Sequence, residues 1–197
     1  GGFVVNNKRD ASGNPLTTGD ADNNTLILAK DAANPSAAAP AVTGSAYGAL
    51  VKTKSGSATN NKVDFSAGHV AGSLYGGALT ATGATGAATG NTITITGAAT
   101  VGGDVYGGYT TGTGATTGNT VNLGDGTEAG KLTTAAGTAT VAGTIYGGSG
   151  TVTTGNVLNV NGNATVGNIK NFAAVNFHYD QDTTSAAAPM LKITLLF

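Results

Sequence analysis

The residues of this sequence that are best suited to acid–base chemistry are its carboxylates, and they are few. The chain has 197 residues, of which only ten are Asp or Glu. Cleavage of a glycosidic bond needs one carboxylic acid and a second carboxylate on opposite sides of that bond. Asp64 and Asp104 are predicted to point outward, and neither has an acidic partner at the matching position of a neighbouring sequence repeat. We therefore predict surface carboxylates, no catalytic residue and no enzymatic activity.

The sequence also contains few residues that could act in histidine catalysis or bind a metal. His69 and His178 belong to no Ser/His/Asp spacing, so a structural role is expected for both. Residues 20–24, Asp-Ala-Asp-Asn-Asn, begin like a calcium-binding loop, but the glycine of the sixth position is missing and Asp31 replaces the glutamate of the twelfth. The chain has no cysteine, which excludes a thiolate metal site. No metal and no cofactor are predicted.

Two short motifs alternate along the chain and predict a repeat architecture. The first reads Asn-x-apolar-x-apolar, and the second reads Val-x-Gly-x-apolar-Tyr-Gly. Copies of the first start at Asn24, Asn61, Asn91, Asn119 and Asn156. Copies of the second span 42–48, 70–76, 101–107 and 141–147, and a fifth copy at Val166 lacks the Tyr-Gly.

The spacing inside the first motif is that of a strand with one buried face. The residues predicted to be buried are Leu26, Leu28, Val63, Phe65, Ile93, Ile95, Val121, Leu123, Leu158 and Val160. One repeat cannot bury its apolar face alone, whereas stacked repeats pair their equivalent strands about 4.8 Å apart. We predict an all-β fold, a parallel β-helix (β-solenoid) of about five irregular repeats. A β-sandwich or antiparallel barrel and a disordered low-complexity chain are the alternatives.

Stacking of identical residues predicts ladders of like side chains. The tyrosines of the second motif should form an aromatic ladder at a corner, and the glycines after them, such as Gly107 and Gly108, should supply positive φ in the following turn. Tyr106 and Tyr109 are the aromatic residues that could stack on a sugar, although ladder packing is the expected role. The motif asparagines should form an amide ladder and tolerate the left-handed region. Insertions are expected at 30–40 and 124–130.

The composition limits the partners and the location of the chain. Charged residues make up 10% of it, against about 25% in an average domain, and the net charge is −1. No basic patch indicates a nucleic-acid partner, and no apolar run approaches the roughly 20 residues of a spanning helix. A surface of hydroxyls and amides favours an extracellular location. We expect one β-solenoid segment over residues 1–197, with repeats near 24–53, 61–80, 91–111, 119–150 and 156–179, belonging to a longer chain.

At residues 119–123, Asn-Thr-Val-Asn-Leu, and 145–148, Ile-Tyr-Gly-Gly, the chain resembles passenger segments of type V autotransporter adhesins of Fusobacterium- and Negativicutes-like bacteria. Residues 167–172, 175–177 and 190–191 are similar to a unit that follows such arrays. The resemblance implies a right-handed parallel β-helix displayed from the outer membrane, with adhesion or aggregation as its function.

The functional hypothesis from the sequence is a surface-displayed adhesin segment that attaches to or aggregates with cells. Its partner would be a host or bacterial cell-surface protein or glycan, with no nucleic acid and no membrane insertion by this segment. The alternatives are a structural surface-layer or filament subunit, which would assemble through exposed strand edges, and a carbohydrate-active β-helix enzyme.

Overall fold

The computed structural model describes residues 2–4, 19–34, 36–124, 138–178 and 190–195. These residues form strands, turns and bends, without a helix among them. The strands are β1 (Gly2–Val4), β2 (Ala21–Asp22), β3 (Thr25–Leu28), β4 (Ala41–Val42), β5 (Ala46–Val51), β6 (Ala58–Thr59), β7 (Lys62–Phe65), β8 (His69–Val70), β9 (Leu74–Leu79), β10 (Ala88–Thr89), β11 (Thr92–Ile95), β12 (Thr100–Val101), β13 (Val105–Thr110), β14 (Thr120–Leu123), β15 (Ala139–Ser149), β16 (Val157–Val160), β17 (Ala164–Lys170), β18 (Ala174–Phe177) and β19 (Leu191–Ile193).

Every strand pairing among the described residues is parallel and joins strands of successive repeats. In the pairing of β7, β11 and β14, for example, Val63 lies beside Ile93, and Ile93 lies beside Val121. The sequence motifs are therefore stacked on one another in register. The predicted all-β, parallel fold is confirmed, its repeated arrangement is consistent with a β-solenoid, and the antiparallel alternative is wrong.

The strands form three sheets, and β2 to β13 visit them in a fixed order, whereas the strands from β14 onward belong only to the six-stranded and ten-stranded sheets. The short sheet contains β2, β6 and β10, and the six-stranded sheet contains β3, β7, β11, β14, β16 and β18. The ten-stranded sheet contains the other strands, in two ladders that include β4, β8 and β12 on one side and β5, β9 and β13 on the other. β15 and β17 are long enough to continue both ladders, with a register shift in β15 between Val141 and Thr144.

The core lies between the sheets and follows the predicted alternation. Eight of the ten residues predicted to be buried have at most 1% of their surface exposed, namely Val63, Phe65, Ile93, Ile95, Val121, Leu123, Leu158 and Val160. Leu26 and Leu28 pack against this core but are only partly buried, because β7 is the one described strand that pairs with β3. A second, alanine-rich cluster lies under the short sheet and includes Val51, Ala58 and Leu79.

The glycine pairs after Tyr75, Tyr106 and Tyr146 lie inside strands and do not form turns, which corrects the prediction made for Gly107 and Gly108. Both lie inside β13 and neither has a positive φ. A Cβ atom on Gly107 would lie 2.5 Å from the Gly147 carbonyl oxygen and 2.8 Å from Asn119 Cβ. On Gly108 it would lie 2.7 Å from Asn119 Nδ2. Glycine is required here because this strand passes directly against a column of buried asparagines.

Candidate functional site

The motif asparagines form a continuous amide ladder inside the protein. The Nδ2 group of each residue donates to Oδ1 of the asparagine one repeat further on, from Asn24 to Asn61 (2.9 Å), Asn61 to Asn91 (2.9 Å), Asn91 to Asn119 (3.0 Å) and Asn119 to Asn156 (3.1 Å). Each accepting oxygen also takes the backbone N–H of the preceding asparagine, as in Asn91 N to Asn119 Oδ1 at 3.0 Å. The four later members are buried. Their hydrogen bonds offset the cost of burying the amides, so the predicted ladder is confirmed as a structural element.

The residue before each ladder asparagine, and not the asparagine itself, has the left-handed backbone conformation. Positive φ occurs at Asn23, Asn60, Gly90, Gly118 and Gly155, with values of 54–70°. Only glycine and asparagine occupy this column, and they are the residues that adopt this conformation at least cost. The prediction that the ladder asparagines themselves tolerate the left-handed region was therefore wrong by one position.

Asp104 belongs to a column of side-chain acceptors that bind the backbone of the next repeat. Ser45 Oγ accepts the N–H of Ser73 at 3.1 Å, and Ser73 Oγ accepts the N–H of Asp104 at 3.1 Å. Asp104 Oδ1 in turn accepts the N–H of Thr144 at 2.7 Å, and its Oδ2 accepts the phenol hydrogen of Tyr106 at 3.1 Å. The carboxylate is therefore engaged on both oxygens by the chain itself.

Asp20 and Asp22, in the sequence that begins like a calcium-binding loop, likewise accept backbone N–H groups of the next repeat. Asp20 Oδ1 accepts the N–H of Ser57 at 2.7 Å, and Asp22 Oδ1 accepts the N–H and the hydroxyl of Thr59 at 3.1 and 2.5 Å. Asp31 closes a local turn by accepting the N–H of Ala33 at 2.9 Å. Across the described part of the chain no three His, Cys, Asp or Glu side chains come together where they could hold a metal ion.

The remaining sequence candidates, Asp64, His69 and His178, each have a different partner. Asp64 forms an ion pair with Lys62 at 2.8 Å on the outer face of the six-stranded sheet. The exposed His69 places Nδ1 2.8 Å from Thr100 Oγ1 in the adjacent strand β12. His178 is exposed and its backbone N–H donates to the Val160 carbonyl. The structure brings none of these residues into an acid–base pair.

The predicted aromatic ladder is present, although its tyrosines lie within the paired strands β5, β9, β13 and β15 and not at a corner. Tyr47, Tyr75, Tyr106 and Tyr146 stack face to face, with centroid separations of 4.7, 5.1 and 4.8 Å and interplanar angles of 4–7°. Their side chains lie half-buried on the outer face of the ten-stranded sheet. Tyr109 meets Tyr75 and Tyr106 in T-shaped contacts at 5.3 and 5.0 Å. Because both faces of Tyr75 and Tyr106 are covered by neighbouring rings, these two residues have no free face for a sugar.

Burial changes the ionisation of two phenols in this ladder. Desolvation raises the pKa of Tyr106, and the negative charge of Asp104 and its hydrogen bond to the phenol act in the same direction. Desolvation also raises the pKa of Tyr75, against the opposing hydrogen bond from Ser73. Both groups are held in the neutral form that stacks and donates.

Long and short connections alternate at the corner where the chain passes from the six-stranded to the ten-stranded sheet. Three connections at this corner, 66–68, 96–99 and 161–163, have three or four residues. Three others, 29–40, 124–138 and 178–190, have twelve or more. The predicted insertion at 30–40 leaves and returns here, and most of its described residues are exposed. The predicted 124–130 insertion starts at the same corner, but beyond Gly124 it lies outside the described residues.

Sequence reasoning missed the acceptor columns of Asp20 and Asp104, whose partners are 37 and 40 residues away. Alignment of the repeats could have indicated them, since serine or aspartate recurs at equivalent positions. Comparison with known proteins adds no assignment: no family model, no curated protein and no solved structure matches the chain. The described residues include no helix that is long and apolar enough to cross a membrane.

Proposed function

We propose that the chain is a right-handed parallel β-helix segment of about five irregular repeats that acts as a cell-surface adhesin. The observation that carries the proposal is the corner at which three long connections, 29–40, 124–138 and 178–190, leave the stacked strands. A rigid stack that presents its variable segments along one corner is suited to binding another surface, since recognition residues are commonly placed on loops held by a rigid scaffold. The partner would be a protein or glycan on host or bacterial cells.

The hydrogen bonds and the ion pair of the aspartates favour a binding protein over an enzyme. Each aspartate of the described residues is engaged by the chain's own N–H, hydroxyl or ammonium groups. A glycosidase or lyase would need two carboxyl groups within about 5–10 Å of each other at an open cleft. These aspartates instead bind the backbone of the next repeat, close a turn or pair with Lys62, which is the use expected of a non-enzymatic scaffold.

A cell-binding experiment with one corner variant tests this function. The parent chain, labelled with a fluorophore, is titrated onto cultured host cells and intact bacteria. In the variant, residues 29–40 are replaced by Ser-Ala-Gly, the short connection found at 66–68. We expect saturable binding by the parent and at least a tenfold weaker affinity for the variant. Thr94→Lys, on the outer face of β11, is the control that adds a charge away from the corner.

The circular dichroism spectra of both variants must match that of the parent, which shows that the variants are folded. Absence of saturable binding by the parent to any cell type would contradict the adhesin proposal. Equal binding by parent and shortened variant would show that the 29–40 connection is not the binding element. Release of unsaturated oligosaccharides from acidic polysaccharide would instead establish the enzymatic alternative.

A further inference from the structure

The tyrosine ladder contains most of the side chains of this protein that are readily oxidised. The sequence has no cysteine, no tryptophan, one methionine and six tyrosines. Sulfur side chains are the usual targets of oxidants, and without cysteine and tryptophan the phenols become the principal electron donors. Five of the six tyrosines form one cluster on the outer face of the ten-stranded sheet, namely Tyr47, Tyr75, Tyr106, Tyr109 and Tyr146. A one-electron oxidant that reaches the described surface therefore meets a stack of phenols.

Tyr106 differs from the other stacked tyrosines because a carboxylate accepts its phenol hydrogen. Oxidation of a phenol to a neutral radical releases its proton, so a base within hydrogen-bond reach makes loss of the electron easier. Asp104 Oδ2 lies 3.1 Å from the Tyr106 hydroxyl, and the N–H of Thr144 holds Asp104 Oδ1 at 2.7 Å. The other three layers carry the uncharged Ser45, Ser73 and Thr144 at the matching position. Oxidation should therefore begin at Tyr106.

Tyr146 is the stacked neighbour that is best placed to couple with Tyr106. Their ring centroids are 4.8 Å apart, their planes differ by 4°, and the two residues pair in register on β13 and β15. On the other side of Tyr106, Tyr109 packs edge-on against both Tyr75 and Tyr106, which restricts movement of that pair of rings. In β15 the position of Tyr109 is taken by Ser149, a much smaller side chain. The half-buried ring of Tyr146 thus has more room to tilt toward Tyr106.

We propose that Tyr106 and Tyr146 are the site of an oxidative cross-link, a dityrosine bond that joins two consecutive layers of the stack. The oxidant is hydrogen peroxide used by a haem peroxidase, which removes one electron from each phenol. Tyr106 gives its phenol proton to Asp104, which passes it to water, and Tyr146 gives its proton to water directly. This inference goes beyond the adhesin proposal and does not rest on it.

The two radicals then form one carbon–carbon bond between a Cε atom of each ring. The hydrogen on each of these carbons moves to the oxygen of the same ring, which restores both phenols. The two electrons and two protons that were removed reduce one hydrogen peroxide to two molecules of water. The reaction therefore balances with no other reactant.

The cross-link would close the segment between residues 106 and 146, which contains the long connection 124–138. A bond that closes such a segment reduces the conformational entropy of the unfolded chain, as a disulfide does. The chain has no cysteine and cannot form a disulfide of its own. We expect the oxidised chain to have a thermal unfolding midpoint about 5–15 °C higher than the untreated chain.

The experiment treats the full 197-residue chain, at low concentration, with a haem peroxidase and hydrogen peroxide, followed by digestion with trypsin and mass spectrometry. Cleavage after lysine gives peptide 132–170, whose only tyrosine is Tyr146, and peptide 63–131, which contains Tyr106. We expect these two peptides to be joined, with a mass equal to their sum less two hydrogens. Dityrosine fluorescence should appear in protein that still migrates as a monomer on a denaturing gel.

Three variants identify the residues. Tyr146→Phe keeps the stacked ring but lacks the phenol, so the joined peptides and the rise in the unfolding midpoint should be lost. Asp104→Asn keeps an oxygen for the N–H of Thr144 but removes the proton acceptor, and the initial rate of cross-linking should fall at least tenfold. Tyr47→Phe makes the same change elsewhere in the ladder, and it should leave the yield of the joined peptides unchanged.

Dityrosine found only between molecules, or only within peptide 63–131, would overturn the proposal. So would an unchanged yield in Tyr146→Phe. An equal rate for Asp104→Asn and the parent would contradict the role of Asp104, because proton transfer to this carboxylate is the reason that oxidation begins at Tyr106.

Discussion

Asn91 uses every hydrogen-bonding atom of its side chain within the protein. Its Oδ1 accepts from the backbone and side chain of Asn61, and its Nδ2 donates to Asn119 and to the Ala58 carbonyl. Asn122 is also part of a line of amides, with Nδ2 3.3 Å from Thr94 Oγ1, but it lies on the outer face. Burial, more than residue type, should decide how much each asparagine contributes to stability.

We expect Asn91→Ala to lower the free energy of unfolding by about 2–4 kcal/mol, because it leaves buried donors of Asn61 without an acceptor. Asn122→Ala should cost less than about 1 kcal/mol, since water can replace its contacts. Urea denaturation followed by circular dichroism measures both changes. Equal losses in the two variants would mean that the buried ladder is not a principal source of stability.

The glycine directly after each motif tyrosine should tolerate no side chain, because an added Cβ would lie 2.5 Å from a carbonyl oxygen. Gly107→Ala would place a Cβ 2.5 Å from the Gly147 carbonyl oxygen, and we expect a loss of about 1–3 kcal/mol from the strain. Gly44→Ala is the matched control, because nothing lies within 4 Å of its added Cβ and its φ is not positive. That variant should be as stable as the parent or slightly more so. A stable Gly107→Ala protein would require β13 to shift relative to the neighbouring strand β15 and to Asn119.

Because two ladder tyrosines are kept neutral in the folded protein, the free energy of unfolding should decrease at alkaline pH. The pKa values of Tyr106 and Tyr75 are raised in the folded state, whereas a phenol in the unfolded chain titrates near pH 10. Above about pH 10 the unfolded chain loses protons that the folded chain retains, so the free energy of unfolding should fall as pH rises. Denaturation midpoints between pH 8 and 11 should fall less steeply for a Tyr75→Phe/Tyr106→Phe variant. An unchanged slope would assign the loss to other groups.

At the scale of elements, two corners of the stack differ in what they require of the sequence. The corner between the short and six-stranded sheets needs a left-handed residue followed by the ladder asparagine. The corner between the six-stranded and ten-stranded sheets accepts connections of very different length. One corner is therefore fixed by backbone conformation, while the other is free to vary.

The left-handed column predicts a clear ranking of substitutions at Gly118, whose φ is 64° and whose added Cβ would meet no atom within 4 Å. Gly118→Asn should change stability little, because Asn23 and Asn60 hold the same conformation in other repeats. Gly118→Val should cost about 1–2 kcal/mol or more, since a β-branched residue is strained there. Thermal melts of the two variants test this order, and a tolerated valine would contradict it.

Features that depend on stacking identical positions could be predicted from the sequence. The alternation in residues such as Ile93 and Ile95, and the recurrence of Asn91 and Tyr106, indicated parallel strands, a buried face and two ladders. The role of Gly107 could not be read locally, because its constraint comes from Asn119 across the core. The same is true of Asp104, whose N–H partner is 40 residues away. The adhesin and its receptor class remain proposals that rest on the corner insertions.

At the scale of the whole molecule, each described layer contacts mainly the layers before and after it. Stability should then be close to a sum over layers and their interfaces, as in other repeat proteins. Among the described strands β18 pairs only with β16, and its residues Val175 and Phe177 are exposed.

The stacking also determines how the protein would yield under load. Successive ladder asparagines are separated by 37, 30, 28 and 37 residues, so a chain pulled from its termini can release one layer while the next stays intact. In a single-molecule pulling experiment, extension should increase in discrete steps of at most about 100 Å for the 28-residue layer and about 130 Å for the 37-residue layers. A tether built this way would lengthen by stages under flow and shear, and each released layer would dissipate work before the attachment itself failed.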